Sequence, residues 1–333
     1  MITISKIKEY LQSLSDIQVI AKDFSVADYE YHLVGFYKMN GEQKMLLLAF
    51  NEDLSDLIEE YDCETAGRFY YDKELTVREE EKMQIRYETY LLHIKSINGH
   101  KICSSQKSPM SNYEAEHALL LAEFIKNGWE SEGFANKNPN HIFVVICSFA
   151  DYEAEDVQEN LTLSFAPENS RFTAEIPITL EIEGPSREII LPSYDRVFIR
   201  RVSTFDLHKH TDEVFASEKI RSLFSAEELE EMRRESEEIN EKHCPKGKCF
   251  IAVEYEAPDN ISLNIQPKAT LDSPRKMSNG AFAVLGFASM RAEHEGYKMR
   301  VATITEPFDP EIKTLEAEIF SYSVTTELDN IDL

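Results

Sequence analysis

Short, alternately apolar segments separated by turn residues constrain this chain more than any other feature. The longest apolar runs, such as Met45 to Phe50 and Ile142 to Cys147, are about six residues long, far short of the roughly 18 that a membrane-spanning helix needs. Asn40-Gly41 separates residues 29–39 from Gln43–Phe50, and Asn98-Gly99 leads into His100–Cys103. Asn-Gly between alternating segments predicts two-residue hairpins, because both residues accept a positive φ. From 158 to 205 Leu161, Leu163 and Phe165, then Phe172, Ala174, Ile176 and Ile178, alternate with polar residues. Pro167-Glu-Asn, Gly184-Pro185 and Pro192-Ser punctuate them in the rhythm of an antiparallel layer. Further strands are expected at Ile142–Ser148, Phe250–Glu256, Ile261–Gln266, Phe282–Met290, Tyr297–Thr303 and Leu315–Val324.

Helical periodicity is confined to a few stretches. Ile7, Leu11 and Leu14 mark an amphipathic helix over 4–14, and residues 51–61 read as an acidic helix. Ser111 and Glu114 cap a helix over 112–127 with a core stripe of Ala118, Leu119, Ala122 and Ile125, stopped by Gly128. Residues 76–97 carry two conflicting signals. Thr76 and Glu79 form a capping box, yet Met83, Ile85, Tyr87 and Thr89 alternate with polar residues, which favours a strand from about residue 82. Two more helices are expected over 211–223 and 226–242, the second capped by Ser225 and Glu228 with an apolar seam of Leu229, Met232 and Ile239. It holds eight Glu against Arg233, Arg234 and Lys242, so it packs along one narrow edge or bridges domains.

The expected architecture is therefore α+β: mostly antiparallel β-sheet modules, a few amphipathic helices and a charged connecting helical segment. The domain reading is an α+β module over 1–150, a β-rich layer over 151–208 that could belong to it, a charged helical connector over 209–243, and a C-terminal β-rich module over 244–333. Leu33-Val34-Gly35-Phe36 and Val284-Leu285-Gly286-Phe287 open two similar hairpin patterns. Shared strand composition explains them more simply than a duplicated module does.

Charge and motif content narrow the function. Lys plus Arg number 35 and Asp plus Glu 61, a net charge of −26. Such a surface repels nucleic-acid phosphates and anionic membranes. The first ten residues show no long apolar core of a signal peptide, so a cytoplasmic chain with reduced thiols is expected. Glycine is scarce at 11 residues, against roughly 23 at average usage. G-x-G-x-x-G, G-x-x-x-x-G-K-[ST] and G-x-S-x-G motifs are all missing, which disfavours the commonest nucleotide-binding and acyl-transfer designs.

Two residue sets carry the functional expectations. The first is acidic: Asp53, Asp56, Glu59 and Glu60 in one block, Glu230, Glu231 and Glu237 in another. Acidic blocks of this kind can steer a basic protein partner. The second is His208, His210 and Asp212, following the expected strand Val197–Val202. Alternate residues of an extended segment share a side, so the two imidazoles could hold one divalent ion. Asp206-Leu-His208-Lys-His210-Thr-Asp212-Glu213 partly resembles the His-x-His-x-Asp-His signature of the metallo-β-lactamase superfamily, with Glu213 in place of the last His and only His243 and His294 downstream. That resemblance implies a metal-dependent hydrolase. Cys244 and Cys249, spaced like half of a zinc knuckle beside His243, form a weaker variant.

The favoured expectation is a non-catalytic acidic interaction protein, such as an inhibitor, immunity-type protein, antagonist or complex subunit. It needs no cofactor and binds a basic protein. The alternatives are the metal-dependent hydrolase and a structural or assembly protein of a phage or mobile element, which would form a homo-oligomer.

Overall fold

The structure is a computed structural model, and it describes residues 3–26, 29–50, 75–88, 93–110, 115–130, 133–134, 136–138, 141–149, 160–274 and 291–333. In chain order the first elements are α1 (Ile4–Ser13), β1 (Leu14–Val26), β2 (Tyr29–Met39), β3 (Glu42–Phe50), α2 (Val77–Glu88), β4 (Ile94–Ile97), β5 (His100–Pro109), α3 (Ala115–Lys126) and β6 (Ile142–Phe149). There follow β7 (Thr162–Phe165), β8 (Glu168–Glu181), β9 (Arg187–Ile190), β10 (Arg196–Phe205), α4 (Leu207–Ala216), α5 (Glu218–Arg221) and α6 (Ala226–His243). The last are β11 (Cys249–Pro258), β12 (Ile261–Pro267), α7 (Lys268–Leu271), β13 (Tyr297–Phe308), β14 (Thr314–Thr326) and β15 (Ile331–Asp332). The fold is α+β with antiparallel sheets. The chain divides into two units: Met1–Asp72, Tyr87–Glu168 and Thr326–Leu333 in one, Lys73–Arg86 and Asn169–Thr325 in the other.

The first unit is one eight-stranded sheet in the order β1-β2-β3-β6-β5-β4-β7-β15. Asn40 (φ 54°) and Gly41 (φ 83°) turn β2 into β3, and Asn98 (φ 47°) and Gly99 (φ 80°) turn β4 into β5, as the dipeptides require. The central strands are buried on both faces, which is why they read as continuous apolar runs. Met45, Leu47, Ala49, Val145 and Cys147 fill one core, while Leu46, Leu48, Val144 and Ile146 fill the other. The first core takes side chains from all eight strands, so the sheet curls around it. The second is closed by Leu120, Leu121 and Phe124 of α3, with Trp129 and Phe134. The α3 stripe is thus rotated from the expected one: Ile125 is 60% exposed, because the larger Phe124 turns inward. β1 carries two bulges against β2, and at the second Val19 faces Gly35. A Cβ at Gly35 would lie 2.0 Å from the Gln18 carbonyl oxygen, so only glycine permits this approach.

The second unit is a β-sandwich. The sheets β13-β11-β10-β9 and β12-β14-β8 enclose a core that includes Ile199, Val253, Tyr255, Leu263, Ile304 and Ile319. Helix α2 covers one end of the three-stranded sheet through Val77 and Ile85, which pack with Leu271 and Phe320. This corrects the strand expected from residue 82. The capping box prevails: the Thr76 amide donates to Glu79 Oε2 at 2.8 Å and the Glu79 amide to Thr76 Oγ1 at 3.3 Å. Arg78 then fastens the helix to Glu318, Asp272 and Glu175.

The connector reading is also corrected. β10 and β11 are adjacent antiparallel partners, with Phe205 opposite Phe250 and Phe198 opposite Glu256. The helical segment between them leaves one sheet and returns to the same sheet, so it is an insertion in a ladder and not a link between domains. The expected acidic helix at 51–61, the strand at 282–290 and the Gly286 hairpin lie outside the described residues.

Candidate interaction surface

The insertion forms a helical arm. Asp206 caps α4 by accepting from the Lys209 amide at 3.0 Å, four to five residues before the expected start. Ser217 ends α4 and caps α5, and a full capping box of Ser225 and Glu228 starts α6. The Ser225 amide, then its hydroxyl, hold the Glu228 carboxyl below the usual carboxylate range. The arm is rooted by Leu207, Cys244 and Phe250, all buried, with Phe205 packed against them.

Above that root the two long helices are joined by polar contacts. His208 Nε2 lies 2.8 Å from the Cys244 carbonyl oxygen, which can only accept, so this nitrogen carries the hydrogen. Asn240 Nδ2 donates to Thr211 Oγ1 at 2.8 Å, and Arg233 Nη2 to Asp212 Oδ1 at 2.7 Å. Of the 18 residues of α6 only Asn240 is buried, while Leu229, Ser236 and His243 are half-buried. These four positions define a narrow seam. Met232 (38% exposed) and Ile239 (49% exposed), expected in that seam, face solvent instead. The apolar pair Leu223 and Phe224 is exposed just before Ser225.

The sequence-derived residues divide as follows. Glu230, Glu231 and Glu237 are exposed on α6 and, with Glu227, Arg233 and Arg234, line a shallow depression along it. Asp53, Asp56, Glu59 and Glu60 lie outside the described residues. His208, His210 and Asp212 sit on α4, not on an extended segment. Helical residues two apart diverge by about 200°, so the shared side needed for one ion is lost. Each is engaged separately: His208 with Cys244, His210 against the Phe205 ring at 5.1 Å, Asp212 with Arg233. Among the described residues no group of three or more His, Cys, Asp or Glu side chains is placed to hold a metal. Cys244 and Cys249 are buried, and burial pushes both thiols up.

Two buried polar clusters escaped the sequence reading, because their members are distant in the chain. In the first unit, buried His32 lies 2.6 Å from Asp23 Oδ1 through Nδ1, while Trp129 Nε1 donates to Nε2 at 2.8 Å. Both ring nitrogens are therefore occupied, and the imidazole is left with no position for a substrate proton. In the second unit, fully buried Glu256 accepts from the amides of Glu293 and His294 at 2.9 and 2.6 Å and from Arg200 Nε at 2.8 Å. The His294 ring stacks on Phe198 at 4.3 Å. These contacts use both carboxylate oxygens and pin residues 293–294 to the sheet. The His294 ring is itself 45% exposed, with Nδ1 2.9 Å from Glu256 Oε1.

Comparison with protein-family models, curated proteins and solved structures finds no match.

Proposed function

We propose that this chain is a non-catalytic interaction protein, and that its helical arm is a docking surface for a basic protein partner. The observation that supports this reading is α6 itself. It has 18 residues, one of them buried, and its solvent face carries eight glutamates. A helix that makes so few contacts with its own fold gains little from tertiary packing, the usual source of helical stability in proteins. Arg233, Arg234 and Lys242 offset that charge only in part, and Arg233 is also shared with Asp212. A surface with a net excess of one sign raises the encounter rate with an oppositely charged partner and makes binding salt-sensitive.

The test is capture by the immobilised full chain from an extract of its own source cells at about 50 mM and about 500 mM salt. The expected result is a basic protein retained at low salt, released at high salt, and lost when Glu230, Glu231 and Glu237 are all changed to Gln. Retention unaffected by salt and by the triple variant, or retention of no basic protein, would overturn the proposal.

A further inference from the structure

Resting on the reading of the arm as a docking surface, we infer that its occupant is an amphipathic helix of the partner, with Lys or Arg flanking apolar side chains one heptad apart. Met232 and Ile239 are exposed and seven residues apart. On a helix this places them on one face about 10.5 Å apart. Glu228 and Glu235 fall on the same face at alternating spacings of four and three residues, in the order Glu228, Met232, Glu235, Ile239. The stripe therefore alternates carboxylate and apolar side chains at helical period, beside the seam of half-buried Leu229 and Ser236 and buried Asn240.

That spacing selects among occupants. A strand presents same-face side chains about 6.8 Å or 13.6 Å apart, so it cannot meet both apolar residues in register. A helix repeats its face every seven residues, at the separation of Met232 and Ile239. A second copy of this arm would bring two helices of eight glutamates each together, an approach that like charges oppose. A lone convex helix offers no enclosure for a small ligand. A helix with an apolar heptad step and flanking cations satisfies both the apolar and the acidic positions.

The experiment uses the full chain and two synthetic peptides of one composition, Lys, Leu and Ala, each as long as α6. In one, Leu residues align on a single face when helical, with Lys alongside; in the other the same residues are permuted so that no helical face forms. Affinities are measured by titration calorimetry at about 50 mM and about 500 mM salt. The amphipathic peptide should bind about tenfold more tightly than the permuted one, and gain helical circular dichroism on binding. The variant Met232→Ser/Ile239→Ser, which changes no charge, should lose that preference and keep the weak salt-sensitive binding of both. Its own folding is checked by thermal melting. Equal affinity for the two peptides, abolished by changing Glu230, Glu231 and Glu237 to Gln, would overturn the helix inference and leave the acidic docking surface standing. Binding of neither peptide at low salt would overturn both.

Discussion

Replacing Arg78 by Met should destabilise the second unit by about 3 kcal/mol. The guanidinium is 19% exposed and meets three carboxylates. It donates to both oxygens of Glu318 at 2.7 and 2.9 Å, to Asp272 at 2.9 and 3.0 Å, and to Glu175 at 3.0 Å. The carboxylates are not equivalent. Asp272 and Glu175 are 50% and 37% exposed, so water replaces much of what they lose, whereas Glu318 is 8% exposed. Removing one partner of a buried pair costs about 3–5 kcal/mol, because the other charge stays buried and uncompensated. The lower end applies here, since Glu318 is 8% exposed and Arg78 19% exposed, so both keep some access to water. Methionine retains the aliphatic packing near the Phe320 ring, 5.9 Å from the guanidinium carbon. The assay is urea unfolding followed by far-ultraviolet circular dichroism. The double variant Arg78→Met/Glu318→Leu removes both charges and should recover at least half of the loss, because an apolar pair of similar volume replaces a buried ion pair at little cost. A loss below about 1 kcal/mol for Arg78→Met, the range of exposed pairs, would refute the argument that Glu318 depends on this cation.

Three other outcomes are expected. Gly35→Ala should cost the first unit about 2–4 kcal/mol, since the new Cβ meets backbone at 2.0 Å and no side chain can turn aside; an unchanged urea midpoint would refute the close approach. His32→Leu should cost about 1–3 kcal/mol by leaving the Trp129 N–H buried without an acceptor. Trp129 is the sole tryptophan, so its fluorescence reads the change directly, and an unaltered emission and midpoint would count against the contact. Glu79, Glu175, Glu228 and Glu256 all sit below their ordinary value of 4.5. For Glu256 burial acts upward and is outweighed by the His294 amide and Arg200; for Glu175 the Lys82 hydrogen bond leads. A carboxylate with a depressed folded pKa stabilises above its unfolded value and loses that contribution as pH falls through the folded one. The thermal midpoint should therefore be flat from about pH 7 to about pH 5 and fall below about pH 4.5; a midpoint flat to about pH 3 would contradict these assignments.

What could be read from the chain was local. Asn40-Gly41 and Asn98-Gly99 act on their own φ angles, and the runs Met45–Phe50 and Ile142–Cys147 declare burial on both faces. The misread elements depended on partners far away. Thr76 and Glu79 announced α2, but the alternation through Ile85 argued for a strand until Ile85 was placed against Leu271 and Phe320. Asp206 is as good a helix cap as any in the chain, yet the strand before it made His208 and His210 read as extended. For the candidate surface, the glutamates of α6 were legible from composition. The outward face of Met232 and Ile239 was not, because periodicity locates a stripe without saying whether anything covers it. Asn240 holds the seam that those apolar residues were expected to hold, and its partner, Thr211, lies on another helix.

The pairing of Phe205 with Phe250 across the root of the arm makes the arm removable. Antiparallel partners sit about 5 Å apart, within the span of an ordinary two- to four-residue turn. A shortened chain that joins β10 directly to β11 would keep its ladder and shed the helices as one cassette. The same junction would accept the cassette on any other antiparallel hairpin, so the helices could be transplanted without carrying the sandwich along.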